Sequence, residues 1–127
     1  MKIGTLDTAD KVLVVAEIGN NHEGSYALAE EMVGRAAESG VQMVKFQTFQ
    51  TEHYVSPQDE RRFQRLKQFE LGFPSFEKLA AVARRAGVLF ASTPFDLVSA
   101  RFLAGIVELR RHGDHSDQYR AGNDQVI

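Results

Sequence analysis

Apolar and polar positions fall in blocks along this chain, and the blocks repeat in one order. Val12-Leu13-Val14-Val15-Ala16 is a continuous apolar run rich in β-branched residues, the pattern of a strand buried on both faces of a parallel sheet. Glu17 follows, and then the turn-forming cluster Gly19-Asn20-Asn21-His22-Glu23-Gly24. Ser25 is placed to cap a helix, because its hydroxyl can accept a free N–H of the first turn. Leu28, Ala29, Met32, Val33 and Ala36 recur behind it at helical spacing, and Gly40 is placed to end that helix in a left-handed conformation.

The same order returns twice. Val41 to Gln47 reads as a second strand. A long connection from Thr48 to Leu71 follows, in which Phe63, Leu66 and Phe69 line one side of a short helix. A third unit starts near Gly72, with Pro74 tolerated in a first helical turn. Phe76, Leu79, Ala80 and Ala83 form its apolar stripe, and Gly87 closes it. Val88 to Ala91 is the third strand, Ser92-Thr93-Pro94-Phe95-Asp96 the loop after it, and Leu97 to Ala104 a short helix ended by Gly105. Strand and helix in strict alternation imply an α/β fold with a parallel sheet and right-handed crossovers. An open doubly wound sheet and a (β/α) barrel both satisfy this pattern. From Glu108 to Asp124 apolar residues nearly vanish and neither period is visible, so residues 108–127 are expected to form an irregular, disordered polar tail behind a domain spanning residues 1–107.

Composition narrows the function classes. Of 127 residues, 43% are apolar and 25% charged, and the net charge of -2 offers no global positive field to attract nucleic acid or acidic lipid. Cysteine is absent, which excludes disulfides, thiol nucleophiles and thiolate metal sites. Met1 to Lys11 lacks the apolar core of a secretory signal, and no apolar run approaches the ~20 residues that cross a bilayer. A cytoplasmic location without membrane or nucleic-acid partners is the expectation.

Chemistry gathers where parallel strands end, because both layouts build their sites at the carboxyl ends of strands. Glu17 ends the first strand, Lys45 and Gln47 the second, and Ser92 and Thr93 the third. A carboxylate, an ammonium, an amide and two hydroxyls suit an anionic small molecule. Lysine supplies charge, hydroxyls bond phosphate oxygens, and glutamate supplies a base or an orienting acceptor. On the residues alone, mutual pairing of Glu17 with Lys45 is the favoured account, and Ser92-Thr93-Pro94 serves equally well as a plain turn. His22 reads as a solvated loop histidine. The other histidines, His53, His112 and His115, make no convincing metal motif. Arg61, Arg62, Arg65 and Lys67 lie beside Glu60 and Glu70 and read as a solvated helix face.

Three segments in this order and spacing resemble the sialic acid synthases, also called N-acetylneuraminate synthases: Ala16-Glu17-Ile18-Gly19-Asn20-Asn21-His22-Glu23-Gly24, Val44-Lys45-Phe46-Gln47-Thr48, and Phe90-Ala91-Ser92-Thr93-Pro94-Phe95-Asp96. Phe69-Glu70-Leu71 followed by Phe76 also fits, and the resemblance runs from about Val12 to about Val107. It implies the N-terminal portion, about three βα units, of a (β/α)8 TIM-type barrel. The implied activity is that of a phosphoenolpyruvate-dependent, carbon–carbon bond-forming synthase, a transferase of carbohydrate biosynthesis. Such enzymes condense phosphoenolpyruvate with an N-acetylated amino sugar such as N-acetylmannosamine. Water attacks the enol phosphate carbon, phosphate leaves, and a divalent metal, manganese or magnesium, helps activate the sugar aldehyde. By the same resemblance Glu17 matches the active-site glutamate of proton transfer and water positioning. Lys45 matches the lysine that binds phosphoenolpyruvate, with Gln47 beside it. Ser92 and Thr93 match the third-strand residues near the phosphate, and Asn20 and His22 are motif positions behind them.

The resemblance fails after the third unit. The family continues with a fourth strand ending in Lys-(Ile/Leu)-(Ala/Gly)-Ser-Gly-(Asp/Glu). Here Ile106-Val107 is followed by Glu108-Leu109-Arg110-Arg111-His112-Gly113-Asp114, of which at most Gly113-Asp114 matches. The metal ligands and the small antifreeze-like domain of the family have no counterpart, as a frameshift or early stop near residue 108 would produce. The expectations are an inactive chain, a non-catalytic fragment that binds anions weakly or docks on a partner, an inner sheet face open to water, and self-association through exposed sheet edges.

Overall fold

The computed structural model describes residues 2–3 and 6–106. A short antiparallel pair comes first, β1 (Lys2–Ile3) with β2 (Leu6–Asp7). Then follow β3 (Val15–Gly19), α1 (Tyr26–Glu38), β4 (Met43–Thr48), α2 (Thr51–Tyr54), α3 (Glu60–Phe69), α4 (Phe73–Arg85), β5 (Leu89–Pro94) and α5 (Leu97–Ile106). The three longer strands form one parallel sheet in the order β3-β4-β5, the α/β arrangement that the alternating pattern predicts. The tail expected over 108–127 lies outside the described residues.

Successive side chains of a strand point to opposite faces, and the sheet uses this to separate two environments. Val44, Phe46 and Phe90 face the helices and join Val33 of α1, Phe76, Leu79 and Ala83 of α4 and Leu103 of α5 in the main core. Phe46 stacks on Phe90 with ring centroids 5.6 Å apart and meets the edge of Phe76 at 6.3 Å. Met43 and Ala91 face the other way and are buried with Ile3, flanked by Leu13 and Leu89. The expectation of a bare inner face is therefore corrected over its lower half: the N-terminal residues fold back and keep Met43 and Ala91 from water.

Several boundaries also move. The first strand begins at Val15 and not at Val12, and Val12 and Val14 are exposed. The Val14 backbone is held by Gln42 instead, whose side chain accepts the Val14 N–H at 2.9 Å. The third strand runs on through Ser92-Thr93-Pro94, because these residues pair with Phe46, Gln47 and Thr48 of β4. Pro94 is tolerated there because β5 pairs on one side only among the described residues. Gly105 does not end α5, which continues to Ile106. The connection after β4 holds two helices rather than one.

Local chemistry fixes the turn that leads from β3 into α1. The Ser25 side chain accepts the Leu28 N–H at 3.2 Å, as a helix cap should. Gly24 stands at φ +82, and a Cβ there would lie 2.0 Å from the Gln68 carbonyl oxygen at the end of α3. Only glycine meets both the left-handed backbone and this close approach. Gly24→Ala is expected to lower stability by about 2–4 kcal/mol, from left-handed strain plus a forced backbone shift. Urea denaturation followed by circular dichroism measures this, and a midpoint equal to that of the parent chain would refute it.

Candidate functional site

The β4 residues whose side chains point away from the helices are Met43, Lys45 and Gln47. Met43 is covered at the base of the sheet, so the polar pair lies further along, toward the strand ends. Register brings Glu17 of β3 opposite Lys45, and Thr93 of β5 opposite Gln47. Lys45 Nζ stands 3.0 Å from Glu17 Oε2, with the lysine side chain 33% and the glutamate side chain 50% exposed. The mutual pairing favoured on the residues alone is thus present. A half-exposed pair of this kind is worth roughly 0–1 kcal/mol, since water competes for both charges. An arriving anion can therefore displace Glu17 from Lys45 at small cost.

The loop after β3 completes the cluster. Asn20 donates from Nδ2 to Gln47 Oε1 at 2.7 Å, which fixes the amide of Gln47. Gly19, at φ +56, leaves open the space between the Glu17 carboxylate and the Gln47 amide. A Cβ at Gly19 would lie 3.5 Å from Glu17 Oε1 and 3.7 Å from Gln47 Nε2. Glu17, Lys45, Gln47, Thr93 and Asn20 thus gather around one end of the inner face.

Two expected members are elsewhere. Ser92 pairs with Phe46 in register and so points to the helix side, fully buried. Its hydroxyl is 2.6 Å from that of Thr48, a bond between two buried groups. Strand alternation places Ser92 and Thr93 on opposite faces, so the two hydroxyls do not act together. His22 is likewise not the solvated loop residue expected. It is 1% exposed, lies 6.1 Å from the Phe46 ring, and accepts the Gly24 N–H through Nδ1 at 3.1 Å. Burial pushes its pKa below the ordinary histidine value, which keeps the ring neutral and able to accept.

Comparison with known proteins decides the relationship. A model of the NeuB family matches residues 32–110. The chain belongs to the NeuB family. It is 34% identical over 106 residues to the N,N'-diacetyllegionaminic acid synthase of Campylobacter jejuni, covering 73% of this chain and 32% of that protein. The synthase of the same name from Legionella pneumophila is 35% identical over 106 residues, covering 73% of this chain and 30% of that protein. A crystal structure of N-acetylneuraminic acid (sialic acid) synthetase from Leptospira borgpetersenii, in complex with citrate, matches with a TM-score of 0.72 at 32% identity. That match covers 76% of this chain and 34% of the Leptospira chain. The chain spans about a third of the length of the curated relatives it matches.

Around this cluster, the structure adds residues whose use the sequence pattern does not fully reveal. Asp96 Oδ1 accepts the Ser99 N–H at 2.7 Å, and Oδ2 accepts the Ser99 hydroxyl at 2.7 Å and the Gln50 N–H at 2.8 Å. Burial works against charge at Asp96, but the bonds from Ser99, Gln50 and Val98 outweigh it and hold the carboxyl below its ordinary value. An Asp three residues before Ser99 is a helix-cap spacing, a signal legible in the sequence. Glu70 Oε2 accepts both the N–H and the hydroxyl of Thr51, at 2.8 and 2.7 Å, a contact across the long connection with no local signature. Lys67 bridges Glu52 and Glu70, at 2.8 and 3.1 Å. Arg62 and Arg65 lie over the Tyr54 and Phe69 rings, and α3 has no buried residue, which fits the solvated helix face expected of this basic cluster. No three His, Asp or Glu side chains converge to hold a metal ion among the described residues. The set in hand does not fit a metal centre.

Two expectations follow. Ser92→Ala leaves the buried Thr48 hydroxyl unpaired and should cost about 1–3 kcal/mol, whereas Thr93→Val, on the open face, should cost little. Equal urea midpoints for the two variants would contradict the facing assigned here.

The second concerns pH. His22 has a folded pKa below its unfolded value, so stability declines as pH falls through 6.5 toward the lowered folded value. Asp96 also has a lowered folded pKa, so its contribution is full above about 3.8 and is lost as pH falls through the folded value. His22→Asn keeps an acceptor for the Gly24 N–H but cannot titrate. It should flatten the first decline in a denaturation series against pH and leave the second, and an unchanged first decline would count against the assignment.

Proposed function

We propose that this chain supplies the phosphoenolpyruvate-binding wall of a nonulosonic acid synthase of the sialic, legionaminic and pseudaminic acid type. The three βα units would form part of a (β/α)8 barrel whose centre is the inner sheet face. The observation that carries the reading is the Lys45 ammonium at the strand ends, 3.0 Å from Glu17, with Gln47 and Thr93 in register beside it. Family membership and the relatives' names support the reaction class.

In this reading Lys45 meets the negative charge of phosphoenolpyruvate, and the Thr93 hydroxyl and the Gln47 amide donate to its oxygens. Glu17, displaced from Lys45 by the incoming anion, turns to a water molecule and orients it toward the enol phosphate carbon. The second carbon–carbon partner is an N-acetylated amino sugar. Phosphoenolpyruvate, sugar and water give the nonulosonic acid and inorganic phosphate. In a complete enzyme of this type a divalent metal would activate the sugar aldehyde. Among the described residues no three His, Asp or Glu side chains converge to hold it.

One wall of a site makes few simultaneous contacts and leaves them wet, which weakens each charge interaction. Phosphoenolpyruvate is expected to bind the 127-residue chain with a Kd of about a millimolar or weaker. Lys45→Ala should abolish binding and Thr93→Val should weaken it. Glu17→Gln should tighten it about fivefold, because it removes a like charge worth ~1 kcal/mol at this range in water. The chain alone is expected to release no phosphate from phosphoenolpyruvate and N-acetylmannosamine. NMR titration and a phosphate-release assay test both statements. Binding that survives Lys45→Ala, or phosphate release that needs both substrates, would overturn the respective half.

A further inference from the structure

Phe95 donates its N–H to the Thr48 carbonyl at 3.0 Å, the last backbone bond between β4 and β5. Beyond it the two backbones part, yet the turn that follows β4 stays pinned residue by residue. Gln50 donates its N–H to Asp96 Oδ2 at 2.8 Å. Thr51, fully buried, donates its N–H and its hydroxyl to Glu70 Oε2 at 2.8 and 2.7 Å. Gln50 makes no side-chain cap of its own at the start of α2, so Glu70 takes the place of that local cap.

We infer that Asp96 and Glu70 are positioning residues, whose carboxylates latch the Gln50–Thr51 turn and through it hold the last residues of β4, Gln47 among them with Lys45 two positions before it, in place. The inference rests on the reading of those two residues as the anion-binding wall. Hydrogen bonds to an ionised carboxylate are roughly twice as strong as neutral ones, which suits them to replace a sheet ladder that has ended. Capping alone does not account for Asp96. A cap needs only the bond to the Ser99 N–H, and the second oxygen, on Gln50, reaches across to a different element. Each oxygen of the two carboxylates already accepts at least one hydrogen bond, from Ser99 and Gln50 at Asp96 and from Thr51 and Lys67 at Glu70. Their bonds tie them to the Gln50–Thr51 turn, which is the part of a positioning residue.

The test uses Asp96→Ser and Glu70→Ala in the full chain. Serine keeps the cap of α5 but is too short to reach Gln50. Hydrogen exchange at the Gln50 amide should rise about tenfold or more in Asp96→Ser, and at the Thr51 amide by a similar factor in Glu70→Ala. In both variants the side-chain amide resonances of Gln47 should move in the absence of any ligand, a change that loss of a helix cap alone would not cause. Affinity for phosphoenolpyruvate should fall several-fold in parallel. Gln47 resonances that keep their parent positions in both variants would overturn the latch. A parent chain without any Lys45-dependent response to phosphoenolpyruvate would overturn the binding reading instead, and the Gln47 signal still judges the latch.

Discussion

A strand side chain has two directions open to it, and on β4 they lead to different worlds. Val44, Phe46 and Thr48 enter the helix-covered core, where Phe46 is fully buried among Phe76, Phe90 and His22. Met43, Lys45 and Gln47 take the inner face. A slip of one residue would drive Lys45 into the aromatic core and lift Phe46 into water, so the burial of Phe46 locks the register. Everything polar at the site inherits its place from that lock. Glu17 stands opposite Lys45 and Thr93 opposite Gln47 because both neighbours pair in parallel with this one strand.

The inner face is divided along its length. Its base is apolar and covered by Ile3 and Leu13, and its far end is polar and open. Charge at that end is balanced but lightly held, since the Lys45–Glu17 pair is partly solvated and contributes little to folding. Such a pair is suited to exchange one anionic partner for another, whereas a buried pair would resist separation. The hydrogen bond from the Asn20 amide ties Gln47 to the loop after β3, and the carboxylates of Asp96 and Glu70 tie the turn after β4 to its surroundings.

Much of this was legible in the residues. Helical spacing behind Ser25 and the Phe76–Ala83 stripe gave α1 and α4, and apolar runs gave the parallel strands. The Lys45-Phe46-Gln47 alternation already contains the two-faced strand. The misses have physical causes. Val12 and Val14 imitate a buried strand but precede the paired residues of β3 and are exposed. Ser92 and Thr93 have the composition of a loop, but continued pairing with Phe46 and Gln47 makes them strand residues of opposite facing. His22 looked like any polar loop residue, because nothing local tells that the loop folds back over Phe46. The contact of Glu70 with Thr51 joins residues far apart in sequence, beyond the reach of any local pattern.

The central claim is that an anion reaches this chain by taking Lys45 from Glu17. Direct observation of the Lys45 ammonium and the Glu17 carboxyl carbon by NMR, during addition of phosphoenolpyruvate at low salt, tests it most directly. The account predicts that both signals move together along one titration curve, with Gln47 following. Movement elsewhere in the chain while the Lys45 and Glu17 signals stay fixed would contradict it.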